Sequence, residues 1–329
     1  MTTFVFIAGA GLGGWAWQGV ARSLQTSGHV VYAPSLTGEG DRTHLLSRDV
    51  DLETHVNDIT NLLTYEDLDD VVLVGHSYGG VVMTGTADRV PARIRRLVYL
   101  DAPMGLSHTE IFPAAADRSM FPSQVVDGVE LIVLPSTDLV AFYGVTDPDE
   151  VAWMLARMTP HPWKASEQHL TLSNPAELDA IPRYHIVASR TAELGAHDAL
   201  PATERVEGRY FVVDGPHALM VTAPQTVAEL LIRIADAHPA VRMPGESAPR
   251  FRRWLTRRRP PRAAVPKRSP HRPTADDTGT GRGRRNARPR PPTVSSLKLG
   301  GRELADRATV TSCRSAQGAV PVDRTVSGA

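Results

Sequence analysis

Thiols are nearly missing from this 329-residue chain. Its single cysteine, Cys313, excludes both an intrachain disulfide framework and a cysteine-built zinc site, because each needs several sulfurs. Long hydrophobic runs are missing too: no apolar stretch approaches the roughly 18 residues that a membrane-crossing helix requires. The apolar opening, residues 4–8, has no basic flank. It leads into a glycine loop with Trp15 and Trp17 rather than a small-residue cleavage site. It is therefore expected to be a buried first strand and not a secretory signal, and the chain reads as cytoplasmic.

Net charge is also absent, since 36 Lys+Arg balance 36 Asp+Glu. The balance hides two halves. Residues 1–240 hold 15 basic and 30 acidic side chains, a formal −15, whereas residues 241–329 hold 21 and 6, a formal +15. Such halves are read separately. The second is rich in Arg, Pro, Gly, Ser and Thr, with almost no aromatics and no sustained periodicity, so it lacks the apolar surface to fold and is expected to be a disordered tail. It is either a plain extension or a basic arm for nucleic acid, an anionic surface or the acidic half of its own chain.

What is present before residue 241 is alternation. Short β-branched runs at residues 4–8, 30–33, 71–74, 97–100, 185–188 and 210–213 alternate with amphipathic segments such as 17–26, 52–65 and 80–89. Buried strands alternating with helices predict an α/β fold with a doubly wound, mostly parallel sheet. The alternation breaks between 103 and 180, where proline-rich turns and helical pieces such as 149–158 are inserted. The expected layout is a core from 1–102 and 181–240, a small cap or lid from 103–180, and the tail from 241–329.

Chemistry concentrates at Gly75-His76-Ser77-Tyr78-Gly79. This is a G-x-S-x-G turn placed after an apolar strand and before a helix-compatible run, the setting in which a strained elbow exposes a serine hydroxyl. Side chains at Gly75 or Gly79 would clash where strand and helix cross. A serine nucleophile needs a base and a group to orient that base. His217 follows the last strand and a Gly-Pro turn, which fits the base. For the acid, Asp101 ends the strand 97–100 beside the nucleophile strand. Glu193 and then Asp198 are the alternatives, since no aspartate follows residues 185–188 at the expected short distance. Oxyanion stabilisation needs backbone N–H groups. Tyr78 supplies one, and the loop from Gly9 to Gly14 supplies the other through Ala10, with Gly11 behind it.

The same loop spells G-x-G-x-x-G, the dinucleotide fingerprint. That reading wants an acidic residue closing the second strand, but Tyr32-Ala33-Pro34-Ser35 has none. No cofactor and no metal are expected.

Together, residues 4–17, Pro34-Ser35-Leu36-Thr37-Gly38-Glu39-Gly40-Asp41-Arg42, the elbow, residues 97–103 and His217 followed by Pro224 resemble the α/β-hydrolase superfamily. The likeness covers roughly residues 3–237. Within it the chain looks like the small-cap esterases related to plant methyl-ester hydrolases, hydroxynitrile lyases and bacterial pyrethroid-type esterases. The resemblance implies Ser77 as nucleophile, His217 as base, and the Ala10 and Tyr78 N–H groups as the oxyanion hole. Two departures stand out. The family's His-Gly at the first loop is Ala8-Gly9 here, and the usual later acid position is Thr191. Ala218 replaces the lysine that hydroxynitrile lyases of this type carry beside the histidine, and Ser77 stands where epoxide hydrolases and dehalogenases carry aspartate. The expected activity is hydrolysis of a small or medium apolar carboxylic ester, thioester or lactone through an acyl-enzyme. A lyase or cyclase reaction of secondary metabolism on the same scaffold is the alternative. Gly11, Leu12, Phe142, Tyr143, Met158, Trp163 and Met220 are candidates to line the substrate pocket, or, for those in the cap, to form its own small core.

Overall fold

The computed structural model describes residues 1–102, 104–111, 123–132, 135–198 and 200–237. The tail, Cys313 and parts of the 103–180 insertion lie outside them. Four strands come first: β1 (Thr3–Ile7), β2 (Val30–Tyr32), β3 (Val71–His76) and β4 (Ile94–Leu100). Three short ones, β5 (Gln124–Val126), β6 (Val129–Ile132) and β7 (His161–Pro162), fall within the insertion, and β8 (Arg183–Ala188) and β9 (Tyr210–Val213) follow it.

The main sheet has the order β2-β1-β3-β4-β8-β9, parallel at every pairing. Every residue of β3 and β8 is buried, as expected for parallel strands covered on both faces. Fully burying each of Val71, Val72, Leu73 and Val74 favours the fold by about 1.5–3 kcal/mol per side chain. The direction of winding reverses between β1 and β3. In such sheets the crevice at the carboxyl ends of the strands, next to that reversal, is where ligands bind.

Local sequence explains the flanking helices. Asp51 caps the Leu52–Tyr65 helix by accepting from Thr54 N–H, and the Thr54 hydroxyl closes a capping box, a start signal stabilised by satisfying orphan N–H groups. Pro224 opens the last helix, Pro224–Asp236, where a missing N–H does no harm. No helix among the described residues is long and apolar enough to cross a membrane.

The insertion differs from its expected make-up of turns and helical pieces. It also contains a three-stranded antiparallel sheet, β5-β6-β7. The β5–β6 turn is Asp127-Gly128, both at positive φ. An Asp-Gly pair between β-branched runs is a strong hairpin signal, so Val125-Val126-Asp127-Gly128-Val129 carried that information.

Candidate active site

Each residue of the constellation follows the carboxyl end of a different strand. β1 runs into the Gly9–Gly14 loop, β3 into Ser77, β4 into Asp101, β8 into Thr191 and β9 into His217.

The elbow is enforced by close packing. A Cβ on Gly75 would lie 2.5 Å from the Gly79 carbonyl oxygen, and one on Gly79 would lie 2.5 Å from that of Ile7. Those backbone contacts cannot yield, so both positions must be glycine. Ser77 sits at φ +52°, a left-handed conformation that non-glycine residues occupy only when the surroundings impose it. Ser77 is half-buried between the fully buried His76 and Tyr78. The Gly79–Arg89 helix begins directly behind it, so the positive end of the helix dipole faces this turn.

Asp101 is the second non-glycine residue of the site at positive φ, +46°. Its Oδ2 accepts from His217 Nδ1–H at 2.6 Å. The other oxygen accepts from Ala188 N–H (2.9 Å), the Thr191 hydroxyl (2.6 Å) and His197 Nε2–H (2.9 Å). Burial opposes the Asp101 charge, but hydrogen bonds from His197 and His217 outweigh it and hold the carboxyl well below its ordinary range. With Nδ1–H directed at the carboxylate, the His217 Nε2 lone pair is left to take up a proton. Glu193 and Asp198 are exposed, and among the described residues neither is hydrogen-bonded to His217. Thr191, at the family's usual acid position, is instead a donor to Asp101.

His197 went unrecognised in the sequence, where His217 alone was singled out by its placement. Nothing local marks it: it lies in a turn 96 residues from Asp101, and only the fold brings them together. His76 packs beside His217. The two rings are 4.6 Å apart, and His76 Nε2–H donates to the His217 carbonyl at 3.0 Å. Burial, helped by the nearby His217, pushes His76 down to about 3, so it stays neutral.

Tyr78 stands in a buried polar cluster. His55 Nε2–H faces the Thr37 carbonyl (2.9 Å), which leaves Nδ1 to accept from the Tyr78 hydroxyl (2.8 Å). The Tyr78 ring meets those of His161 and His108 at 4.6 and 5.4 Å. His161 is hydrogen-bonded to Glu39. Both are fully buried; burial raises Glu39 to about 8 and lowers His161 to about 3.

The first loop explains its own glycines. A Cβ on Gly14 would lie 1.9 Å from the Ala33 carbonyl oxygen, so close backbone packing in this loop requires glycine there. No backbone carbonyl among the described residues accepts from the N–H of Ala10 or of Tyr78.

The pocket candidates separate by exposure. Leu12 and Met220 are fully buried, and Tyr143, Met158 and Trp163 nearly so. The Gly11 carbonyl accepts from Thr159 N–H, and Trp163 Nε1–H donates to Glu167 at 2.7 Å. Phe142 is 49% exposed, with its ring 6.1 Å from that of His217.

A serine at a strained turn, a carboxylate-bound imidazole and two N–H groups without a backbone acceptor, all at the carboxyl ends of the strands, suit acyl transfer. The chain matches the model described as the alpha/beta hydrolase family over residues 4–230. It is 52% identical over 102 residues to a carbendazim hydrolyzing esterase of Nocardioides sp. (strain SG-4G), covering 31% of this chain and 42% of that protein. It is 23% identical over 257 residues to the putative methylesterase 15, chloroplastic, of Arabidopsis thaliana, covering 72% of this chain and 57% of that one. This chain thus spans about half the length of those two relatives. Among solved structures, a methylesterase from Arabidopsis superposes with a TM-score of 0.57 at 23% identity, covering 71% of this chain and 98% of that one. At that identity the likeness speaks for the fold.

Proposed function

Because the chain belongs to the alpha/beta hydrolase family, its family model covering residues 4–230, we propose that it is a serine hydrolase of carboxylic esters working through an acyl-enzyme on Ser77. The observation that carries this reading is the 2.6 Å bond between His217 Nδ1 and Asp101 Oδ2, at the same sheet edge as a serine held at φ +52°.

In this reading His217 Nε2 removes the Ser77 proton as Oγ attacks the ester carbonyl carbon. The carbonyl π electrons move to oxygen, and the N–H groups of Ala10 and Tyr78 stabilise the alkoxide. As the tetrahedral adduct collapses, the bond from carbon to the leaving oxygen breaks and the imidazolium gives that oxygen its proton. Water, deprotonated by His217, then attacks the acyl-enzyme carbonyl; as that adduct collapses, the bond from carbon to Ser77 Oγ breaks, the imidazolium returns its proton to Oγ, and the acid leaves. Asp101 holds the tautomer and steadies the transient imidazolium. The substrate class is a small or medium apolar ester, thioester or lactone. Methyl esters and carbendazim head a test panel because relatives carry those names. The exposed Phe142, its ring 6.1 Å from that of His217, offers apolar surface beside the imidazole.

The test is turnover of that panel by the wild type, Ser77→Ala and His217→Ala, with intact-mass detection of an acyl adduct. The expected result is hydrolysis by the wild type alone and a transient adduct that Ser77→Ala cannot form. Turnover by Ser77→Ala, or conversion with no adduct, would move the lyase or cyclase alternative ahead.

A further inference from the structure

We propose that Tyr143, contributed by the insertion, is a positioning residue that locks the oxyanion loop and the catalytic imidazole into one frame; this rests on the serine-esterase reading above.

Where the family places a histidine that organises the first loop, this chain has the buried Ala8. Something else must fix a glycine-rich loop whose backbone is intrinsically free. Three consecutive carbonyls show what does. Gly9 accepts from Leu12 N–H at 3.1 Å, within the loop. Ala10 accepts from the Tyr143 hydroxyl at 2.7 Å. Gly11 accepts from Thr159 N–H at 3.1 Å. The last two donors belong to the insertion. Thr159 is anchored in turn, its hydroxyl accepting from Gly40 N–H at 3.0 Å.

The consequence follows from peptide planarity. The Ala10 N–H lies in the same plane as the Gly9 carbonyl and points away from it. The next plane holds the Ala10 carbonyl. With Leu12 fixing one plane and Tyr143 the other, the Ala10 N–H has a single direction, and no backbone carbonyl among the described residues accepts it.

Tyr143 also grips the other half of the site. Its ring stacks on His217, with centroids 5.4 Å apart and planes 17° from parallel. Its carbonyl accepts from Ala218 N–H at 3.1 Å. One side chain thus connects the loop that would hold the oxyanion with the ring that would move the proton. Tyr143 is buried, so if its hydroxyl were removed, water could not readily replace it and the Ala10 carbonyl would lack a donor.

The test compares the full-length wild type with Tyr143→Phe and with 4-aminophenylalanine introduced at position 143. Phenylalanine keeps the ring and its stack but loses the donor; 4-aminophenylalanine restores a donor. For Tyr143→Phe we expect kcat to fall roughly 10- to 100-fold, less than the loss of a direct oxyanion donor, with KM nearly constant and the pH profile unmoved. Inhibition by a trifluoromethyl ketone, which adds Ser77 Oγ and places an alkoxide in the loop, should weaken by the same factor. The parent methyl ketone should bind as before, and 4-aminophenylalanine should recover most of the rate. A Tyr143→Phe enzyme at full kcat, or a folded 4-aminophenylalanine enzyme no faster than it, overturns the proposal. If Tyr143→Phe does not fold, the 4-aminophenylalanine enzyme decides alone: active supports the role, folded but slow overturns it. A wild type inert to every ester and to serine-directed phosphonates instead overturns the esterase reading, and this proposal with it.

Discussion

Asp101 and His197 are joined by a 2.9 Å hydrogen bond from Nε2 to Oδ1, on the oxygen opposite the one that meets His217. Two histidines therefore draw on one buried carboxylate. Removing His197 takes away a donor that helps keep Asp101 acidic. More of the negative charge then falls on His217, whose imidazolium becomes easier to form. The expected outcome for His197→Ala is an acid limb of kcat/KM displaced to higher pH, with roughly a 3- to 10-fold lower rate at neutral pH, smaller than the factor general acid–base catalysis supplies. A pH profile superimposable on the wild type would show that His197 merely fills space.

Asp101 itself gives the sharpest contrast among the three carboxylates considered for the acid. Asp101→Asn retains the shape but no longer holds His217 in the tautomer with Nε2 unprotonated. Such a change lowers kcat about 10⁴-fold in enzymes with this device. Glu193→Gln and Asp198→Asn alter exposed side chains and should stay within about twofold. Measuring the three rates side by side identifies the acid, and an Asp101→Asn enzyme near full rate would remove it from the mechanism.

Much of this was legible in the sequence because the signals were local. Residues 71–80 combine a buried strand, an elbow and two obligatory glycines within ten positions, and the six main strands announced themselves as short β-branched runs. The placement of Asp101 was legible, as a carboxylate ending a strand that pairs with β3. What escaped was non-local. His197 and the Glu39–His161 pair, 122 positions apart, are created by tertiary packing alone. The loss of the loop histidine at Ala8 was plain in the sequence, but its counterpart Tyr143 lies 133 residues from Ala10, among aromatics that could equally have been cap core.

The buried titratable groups set how stability varies with pH. Burial raises Glu39 to about 8 and lowers His76, His108 and His161 to about 3, whereas unfolded chains titrate such groups near about 4.3 and 6.5. Folded Glu39 keeps a proton that the unfolded chain has released, so its contribution is complete below about pH 4.3 and disappears as pH rises through 8. The histidines act in reverse. Their contribution is complete above about 6.5 and disappears as pH falls towards 3. Three rings outweigh one carboxyl below 6.5, so the melting temperature should peak near about pH 6.5, drop steeply on the acid side and decline gently towards 8. Glu39→Gln should flatten the alkaline decline and leave the acid fall in place. Calorimetry from pH 4 to 9 checks this, and an unchanged alkaline slope in Glu39→Gln would assign that slope to other groups.

Arg96 provides a stability test independent of catalysis. It is 2% exposed on β4, and its guanidinium donates to the Ala235 carbonyl at 2.8 Å and to that of Ala237. Those carbonyls close the Pro224–Asp236 helix, where the last turn has no intrahelical partners and carries partial negative charge. The same guanidinium lies 6.0 Å from the Tyr184 ring centre. Arg96→Met preserves most of the apolar stem and removes every donor, depriving the buried Ala235 carbonyl and the half-buried Ala237 carbonyl of this partner. The expected loss is about 2–3 kcal/mol, or roughly 5–10 °C in melting temperature for a domain of this size. Ester turnover at 25 °C should be unchanged, because Arg96 touches none of Ser77, Asp101 or His217. A melting temperature within 2 °C of the wild type would mean that water replaces the guanidinium at this helix end.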